Sequence, residues 1–294
     1  MPLVKDPLTR SLPAGYVKAA GRLRGSFVVL TNGEHEGHRG VNRLVEKALG
    51  DSEMARRQGL YLPGLAAGGV QLQDGFGNLT HPGVSEAEMS FLASVPERMK
   101  ALMCSMVPAL MPELGEEQLA VEVERAVLDT QVSPTINLNS LFDWISEDVD
   151  RQRQLQSMLE SLMQQLMAMA VAEGLQDSFF LHVAPNLGRD PHGYERLKPA
   201  VKGDVGSTDI QFMLRGAIKE AGLLVLINRH IASRTGTAPL GEEFNVRTAP
   251  QDNESLLALC KQRIPPEQMP HLVGVGDTVT CLLYTSPSPR DSDS

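Results

Sequence analysis

Three points in the chain share a chemical theme. Thr31 and Asn32 stand in "FVVLTNGEH" (27–35), where an apolar run ends abruptly in a hydroxyl, an amide and a glycine. Lys219 opens the run "KEAGLLVLI", and Asp277 ends the apolar stretch "HLVGVGD". A hydroxyl, an ammonium and a carboxylate at the ends of elements suit a phosphoryl group and a magnesium ion. Mg²⁺ prefers a few carboxylates with phosphate oxygens and water, and a lysine offers phosphate a point charge. Each residue also has a plainer reading: Thr31 as a strand end, Lys219 as a solvated lysine, Asp277 as a turn residue.

Further candidates surround these three. Glu34 and His35 directly follow the Thr31 turn, and either line a phosphate or sugar site or are simple loop residues. His35 and His38 flank Glu36, but "HEGH" lacks the spacing of the zinc-protease helix motif. Asn186, Arg189, Asp190 and His192 lie in a polar, glycine-containing stretch whose donors and acceptors suit hydroxyl recognition or simple solvation. Arg215 reads as a bidentate phosphate partner or as half of a surface ion pair, and Lys202 is a second candidate for the role of Lys219.

The elements that must position these residues follow from periodicity. The apolar strand 27–30 precedes a helix over 40–49, with Val41, Leu44, Val45 and Ala48 at helical intervals. Two short strands are expected within 60–83, around a turn at 74–78. From Ser85 the texture turns helical, over 86–103, 116–128 and 151–174. The last of these carries an i, i+3, i+4 stripe of leucine and methionine that reads as core packing. A strand at 178–184 and a long loop or interrupted strand over 185–208 come next. Helix is expected again over 210–233 and 254–263, and a short strand over 271–279. Strand and helix alternate at both ends around a helix-heavy middle, which suggests a parallel α/β core with an inserted domain. In such a sheet the ends of strands 27–30 and 271–277 face one crevice, where ligands bind.

Bulk properties narrow the function. A net charge of -9 over 294 residues argues against a general nucleic-acid binder. No apolar run is long enough to span a bilayer and no signal peptide is evident, so a cytoplasmic protein without a membrane partner is expected. Three widely separated cysteines suggest neither a zinc site nor a disulfide framework. The final "LLYTSPSPRDSDS" (282–294) breaks the pattern and reads as translated adapter sequence.

In the order Thr31, Lys219, Gly276-Asp277, the residues resemble the second, third and fourth motifs of the haloacid dehalogenase superfamily of phosphatases. "KDPLTRSL", "VLTNGEH", "GLYLPGLAAGGVQ", "APNLGRD", "FMLRGAIKEAG" and "GVGDTVT" more closely resemble the glucosylglycerol-phosphate phosphatases, which complete an osmolyte. The resemblance implies an α/β fold: a Rossmann-like core (1–84 and 207–281) with a large inserted α+β cap (85–206) closing over a sugar. It implies catalytic roles for Thr31, Asn32 and Lys219, and Mg²⁺ held by Asp277. Glu34, His35, Asn186, Arg189, Asp190 and Arg215 would contact a small-molecule sugar phosphate. One departure stands out. The superfamily's Asp-x-Asp pair, nucleophile and acid, is expected at the end of an apolar strand, whereas Asp148 and Asp150 follow Ser-Glu. The resemblance places the true pair before Met1, so this chain is expected not to turn over. A non-catalytic sugar-phosphate binder, or a sucrose- or trehalose-type phosphatase, is the alternative reading. Oligomeric state is not legible.

Overall fold

The computed structural model describes residues 11–37, 40–128, 130–191 and 193–274, in two compact units. The first takes the chain up to Val84 and again from Gly216; the second is Ser85–Arg215.

In the first unit a helix, α1 (Ala14–Arg22), leads to β1 (Val29–Leu30). The chain crosses through α2 (Val41–Leu49) and α3 (Ser52–Gln58) and returns as β2 (Gly64–Ala66), parallel to β1. Parallel neighbours require such a crossover. Val45 is fully buried, with Val17, Ala55, Tyr61 and Leu62 in the same cluster. Gly50, left-handed, ends α2, and the Asp51 carboxylate caps α3 by accepting from the Met54 N–H at 2.8 Å. Gly64 is required where it stands, because a Cβ there would lie 2.1 Å from the Val29 carbonyl oxygen. The strands β3 (Gln71–Gln73) and β4 (Leu79–Thr80) then form a hairpin. Its turn is the one expected at 74–78, held by Asp74 accepting from the N–H groups of Phe76 and Asn78. The sheet order is β1-β2-β3-β4. Only β1 and β2 are parallel among the described residues, so this sheet is mixed where a parallel one was expected.

The second unit opens with α4 (Glu86–Leu110), whose start is a capping box: Ser85 Oγ accepts from the Glu88 N–H, and Glu88 accepts from the Ser85 N–H. There follow α5 (Glu116–Ala126), β5 (Val127–Leu128), β6 (Thr135–Asn137), α6 (Asn139–Trp144) and α7 (Val149–Ala172). The stripe on α7 is core: Leu155, Leu159, Leu162, Met163 and Leu166 are fully buried. After β7 (Phe179–Ala184), the stretch expected as a long loop or interrupted strand contains a hairpin, β8 (Asn186–Arg189) and β9 (Glu195–Leu197), before β10 (Asp209–Leu214). A four-stranded antiparallel sheet results, in the order β5-β6-β10-β7. Buried Gln156 on α7 ties 198–207 down, donating to the carbonyls of Lys198, Val205 and Ser207 and accepting from the Ala200 N–H.

Two expectations change here. Residues 210–214, expected to begin a helix, belong instead to β10, which pairs with β7 along its whole length. The helix α8 (Lys219–Thr235) begins only after Gly216, at φ +90°. Because β10 is central in this sheet, the inserted unit ends at Arg215 and not at 206. The first unit is completed by α8 and α9 (Asn253–Arg263). Residues 271–274 are not strand, and the rest of the strand expected there lies outside the described residues. Among the described residues no helix is long and apolar enough to cross a membrane.

Candidate active site

Thr31 sits where β1 stops. Its N–H donates to the Leu65 carbonyl at 3.1 Å, and its carbonyl accepts from the Gly68 N–H at 3.1 Å. Its hydroxyl accepts from the Gly33 N–H at 3.1 Å, which leaves the hydroxyl proton to donate elsewhere. The Gly33 carbonyl in turn accepts from the Ala67 N–H at 2.8 Å. Thr31, Asn32 and Gly33 are thus pinned to the turn after β2 while keeping exposed surface.

That turn, Ala67-Gly68-Gly69, has positive φ at three successive residues: 49°, 67° and 115°. A Cβ on Gly68 would meet the Ala217 carbonyl oxygen at 2.4 Å, and one on Gly222 would meet Leu30 Cδ1 at 2.9 Å. Small residues on both sides therefore let the start of α8 close against the end of β1. Thr31, through its carbonyl, and Ala217, two residues before α8, thus both lie against Gly68. Lys219 is half-buried at the first position of α8. Gly69 also borders a hollow of about 290 Å³ shared with Leu65, Val225 and Arg229. The turn string "GLAAGG" has no catalytic side chain to advertise it, and its role emerges only from the packing.

Glu34 and His35, expected at the rim, are 4 % and 0 % exposed. After Gly33 the chain dives inward, and the carbonyls of Glu34 and His35 accept from the N–H groups of Val41 and Asn42 at the start of α2. The His35 N–H donates to Gln71 Oε1 at 2.7 Å, and its Nε2 lies 3.3 Å from the Gly64 carbonyl, as a donor. Its Nδ1 is buried without a hydrogen-bond partner. Burial drives its pKa down to about 4, against a smaller upward pull from the Gly64 hydrogen bond. Beneath it, Asn42 and Gln73 exchange amide hydrogen bonds of 2.6 and 2.9 Å. Gln71 and Gln73, both buried, fall at alternate positions of "QLQ", the one signal in the sequence for this inner polar row.

The other candidates belong to the second unit. Asn186 donates to the Val183 carbonyl and to Glu195, and accepts from the Gly188 N–H. Asp190 accepts from the Tyr194 N–H at 2.9 Å and so closes the β8–β9 turn. Arg189 is exposed, 3.9 Å from Glu195, and Arg215 is exposed, 3.4 Å from Asp177. Burial pushes the Glu195 carboxyl upward, but the hydrogen bond and charge of His182, with the Val183 N–H, hold it below the usual range. Lys202 is exposed in a turn of this second unit, whereas Thr31 and Lys219 belong to the first. Asp148 caps α7 by accepting from the Arg151 N–H, and Asp150 follows in the first turn. Asp277, His38 and His192 lie outside the described residues.

The remaining candidates of the first unit within the described residues are the Thr31 hydroxyl, the Asn32 amide and the Lys219 ammonium. Among the described residues no three His, Cys, Asp or Glu side chains cluster as a metal site. The set of Thr31, Asn32 and Lys219 contains no carboxylate, and Mg²⁺ is usually bound through one or two carboxylates with phosphate oxygens and water, so these residues alone do not fit it.

An α/β unit interrupted by an α+β insertion is the architecture of a protein of the haloacid dehalogenase type. The model of the glucosylglycerol-phosphate phosphatase family matches residues 1–290. A protein of Synechocystis sp. named glucosylglycerol-phosphate phosphatase is 50 % identical over 280 residues, covering 95 % of this chain. The chain spans 66 % of that relative's length. No solved structure matches. The chain belongs to the glucosylglycerol-phosphate phosphatase family.

Proposed function

We propose that the chain carries the phosphate-handling rim of a phosphomonoesterase that hydrolyses glucosylglycerol 3-phosphate to glucosylglycerol and phosphate. The observation that carries this reading is the approach of the Thr31 turn and the start of α8 to one glycine, Gly68. In this reading the Thr31 hydroxyl and the Asn32 amide donate to phosphoryl oxygens, and the Lys219 ammonium steadies their charge. Catalysis of this kind is mostly positioning and charge stabilisation. Asp277 is the carboxylate that would hold Mg²⁺, whose charge would complement the phosphate.

A carboxylate attacks phosphorus as the bond to the glycerol oxygen breaks, a second carboxyl protonates that oxygen, and water hydrolyses the acyl phosphate. Asp148 and Asp150 serve the start of α7 and do not supply this pair. We therefore infer that the nucleophile and acid come from residues other than Asp148 and Asp150. The test is phosphate release from glucosylglycerol, sucrose and trehalose phosphates, by this chain and by one extended with the coding sequence upstream of Met1. The extended protein should turn over, fastest on the glucosylglycerol ester. Lys219→Ala in it should cost about two orders of magnitude or more, as removal of charge-stabilising donors does. An extended chain that binds sugar phosphates but releases no phosphate would instead mark a binding protein. A preference for sucrose phosphate would overturn the substrate.

A further inference from the structure

One hollow of the first unit stands apart from the phosphate candidates. It measures about 290 Å³, at the lower limit of the roughly 300–1,000 Å³ typical of small-molecule sites, and none of Thr31, Asn32 and Lys219 lines it. Its floor is one row of the sheet. The register sets Leu65 of β2 opposite Leu72 of β3, and Leu72 opposite Thr80 of β4, so all three share a face. The helix α8 runs on that face, since an added Cβ on its Gly222 would lie 3.6 Å from Leu65 Cδ1. Val225 and Arg229, about one helical turn apart, form the wall that α8 gives the hollow, and the segment Glu242-Glu243-Phe244 forms another.

These walls are fixed in advance of any ligand. Buried Asn228 of α8 uses both ends of its amide on the loop, donating to the Gly241 carbonyl at 2.9 Å and accepting from the Leu240 N–H at 2.9 Å. Buried Asn245 ties the loop from within. Its amide donates to the Glu243 carbonyl at 2.9 Å, and its Oδ1 accepts from the Arg247 N–H at 2.9 Å. Two glycines admit the loop at this distance: an added Cβ on Gly69 would lie 2.6 Å from Val246 Cγ1, and one on Gly83 would lie 2.7 Å from Asn245 Oδ1. Glu242, Glu243 and Phe244 are therefore held between two anchors, and a site whose walls are already ordered loses little entropy when it fills.

The charges around the hollow select its occupant. Arg229, Glu242 and Glu243 all border it, yet no guanidinium nitrogen lies within 4.0 Å of either carboxylate, and among the described residues none of the three side chains has an ion-pair partner. A cation and two anions kept apart beside an apolar floor match a ligand that carries both charges at one end and an alkyl group at the other. A phosphate ester would meet the two carboxylates, and a simple cation would leave Arg229 unanswered. We propose that this hollow binds a free zwitterionic amino acid with an apolar side chain of leucine size. Its carboxylate pairs with Arg229, its ammonium with Glu242 or Glu243, and its side chain lies on Leu65, Leu72 and Val225. The site is separate from the phosphate-handling residues and does not depend on the phosphatase reading.

Calorimetric titration of the full chain with three probes tests this. L-Leucine should give saturable heat. L-Leucinamide, which lacks the carboxylate, and N-acetyl-L-leucine, which lacks the ammonium, should each bind about tenfold more weakly, the equivalent of one charge-assisted hydrogen bond. Arg229→Gln should weaken leucine by about the same factor and leave leucinamide no weaker. Glu242→Gln combined with Glu243→Gln should weaken leucine and leave N-acetyl-L-leucine no weaker. The three side chains are exposed, so the unfolding midpoints of the variants without ligand should match the parent. No saturable heat from leucine, the result if another part of the chain fills the hollow, would overturn the proposal. Leucine affinity that survives both sets of substitutions would overturn it too, because the ligand would then sit elsewhere. Should a variant not fold, the analogues still decide: equal affinity for leucine and both analogues means that the charges play no part, and the proposal falls.

Discussion

His35 is the residue whose surroundings most constrain its chemistry. It has no exposed surface, its ring donates to the Gly64 carbonyl, and its pKa is lowered by burial to about 4. The unfolded chain binds this proton as pH falls through about 6.5, whereas the folded chain resists until about 4. Stability is therefore complete above the upper value and declines as pH falls through the window, by on the order of 3 kcal/mol for a shift of this size. His81, also lowered by burial against an upward pull from Glu36, adds to the same slope. Urea unfolding between those pH values should show the decline, and His35→Gln should flatten it. An unchanged slope in the variant would mean that other groups carry it.

At the level of elements, the meeting of β1, the Ala67–Gly69 turn and α8 depends on missing side chains more than on present ones. Gly68→Ala adds a Cβ at 2.4 Å from backbone oxygen in a left-handed position. It should lower stability by about 2 kcal/mol or more, since backbone cannot retreat as a flexible side chain can. Gly15→Ala is the control. That glycine lies inside α1 with nothing within 4 Å of an added Cβ, and the change should stabilise by about 0.5–1 kcal/mol. Thermal unfolding of the two variants checks both signs. Equal effects would detach the Gly68 contact from the argument for the site.

Taken whole, the chain is one unit interrupted by another. The second unit begins on its own capping box and has its own aromatic centre in Phe91, Phe179 and Phe212. The first draws β1 and β2 from early sequence and α8 from late sequence, with Gly222 against Leu30. Residues 85–215 expressed alone should fold cooperatively with a helical circular-dichroism spectrum. A flat, uncooperative melt would show that this core is not self-sufficient.

The sequence by itself determined the helices with strong periodicity, the turn at 74–78, the inserted unit and the family. Those features are local, or are carried by long strings of residues whose order survives without coordinates. It also singled out Thr31 and Lys219, because a polar cluster after an apolar run and a lysine heading an apolar helix stand out in one dimension. Tertiary structure alone decided the fate of Glu34 and His35, since an inward turn after Gly33 is a matter of which N–H groups need their carbonyls. It made 209–214 a central strand and not the first turns of a helix, because pairing with β7 and β6 outweighs local propensity. It also set Gln211 beside His182, residues distant in the chain that only antiparallel register could place in one row.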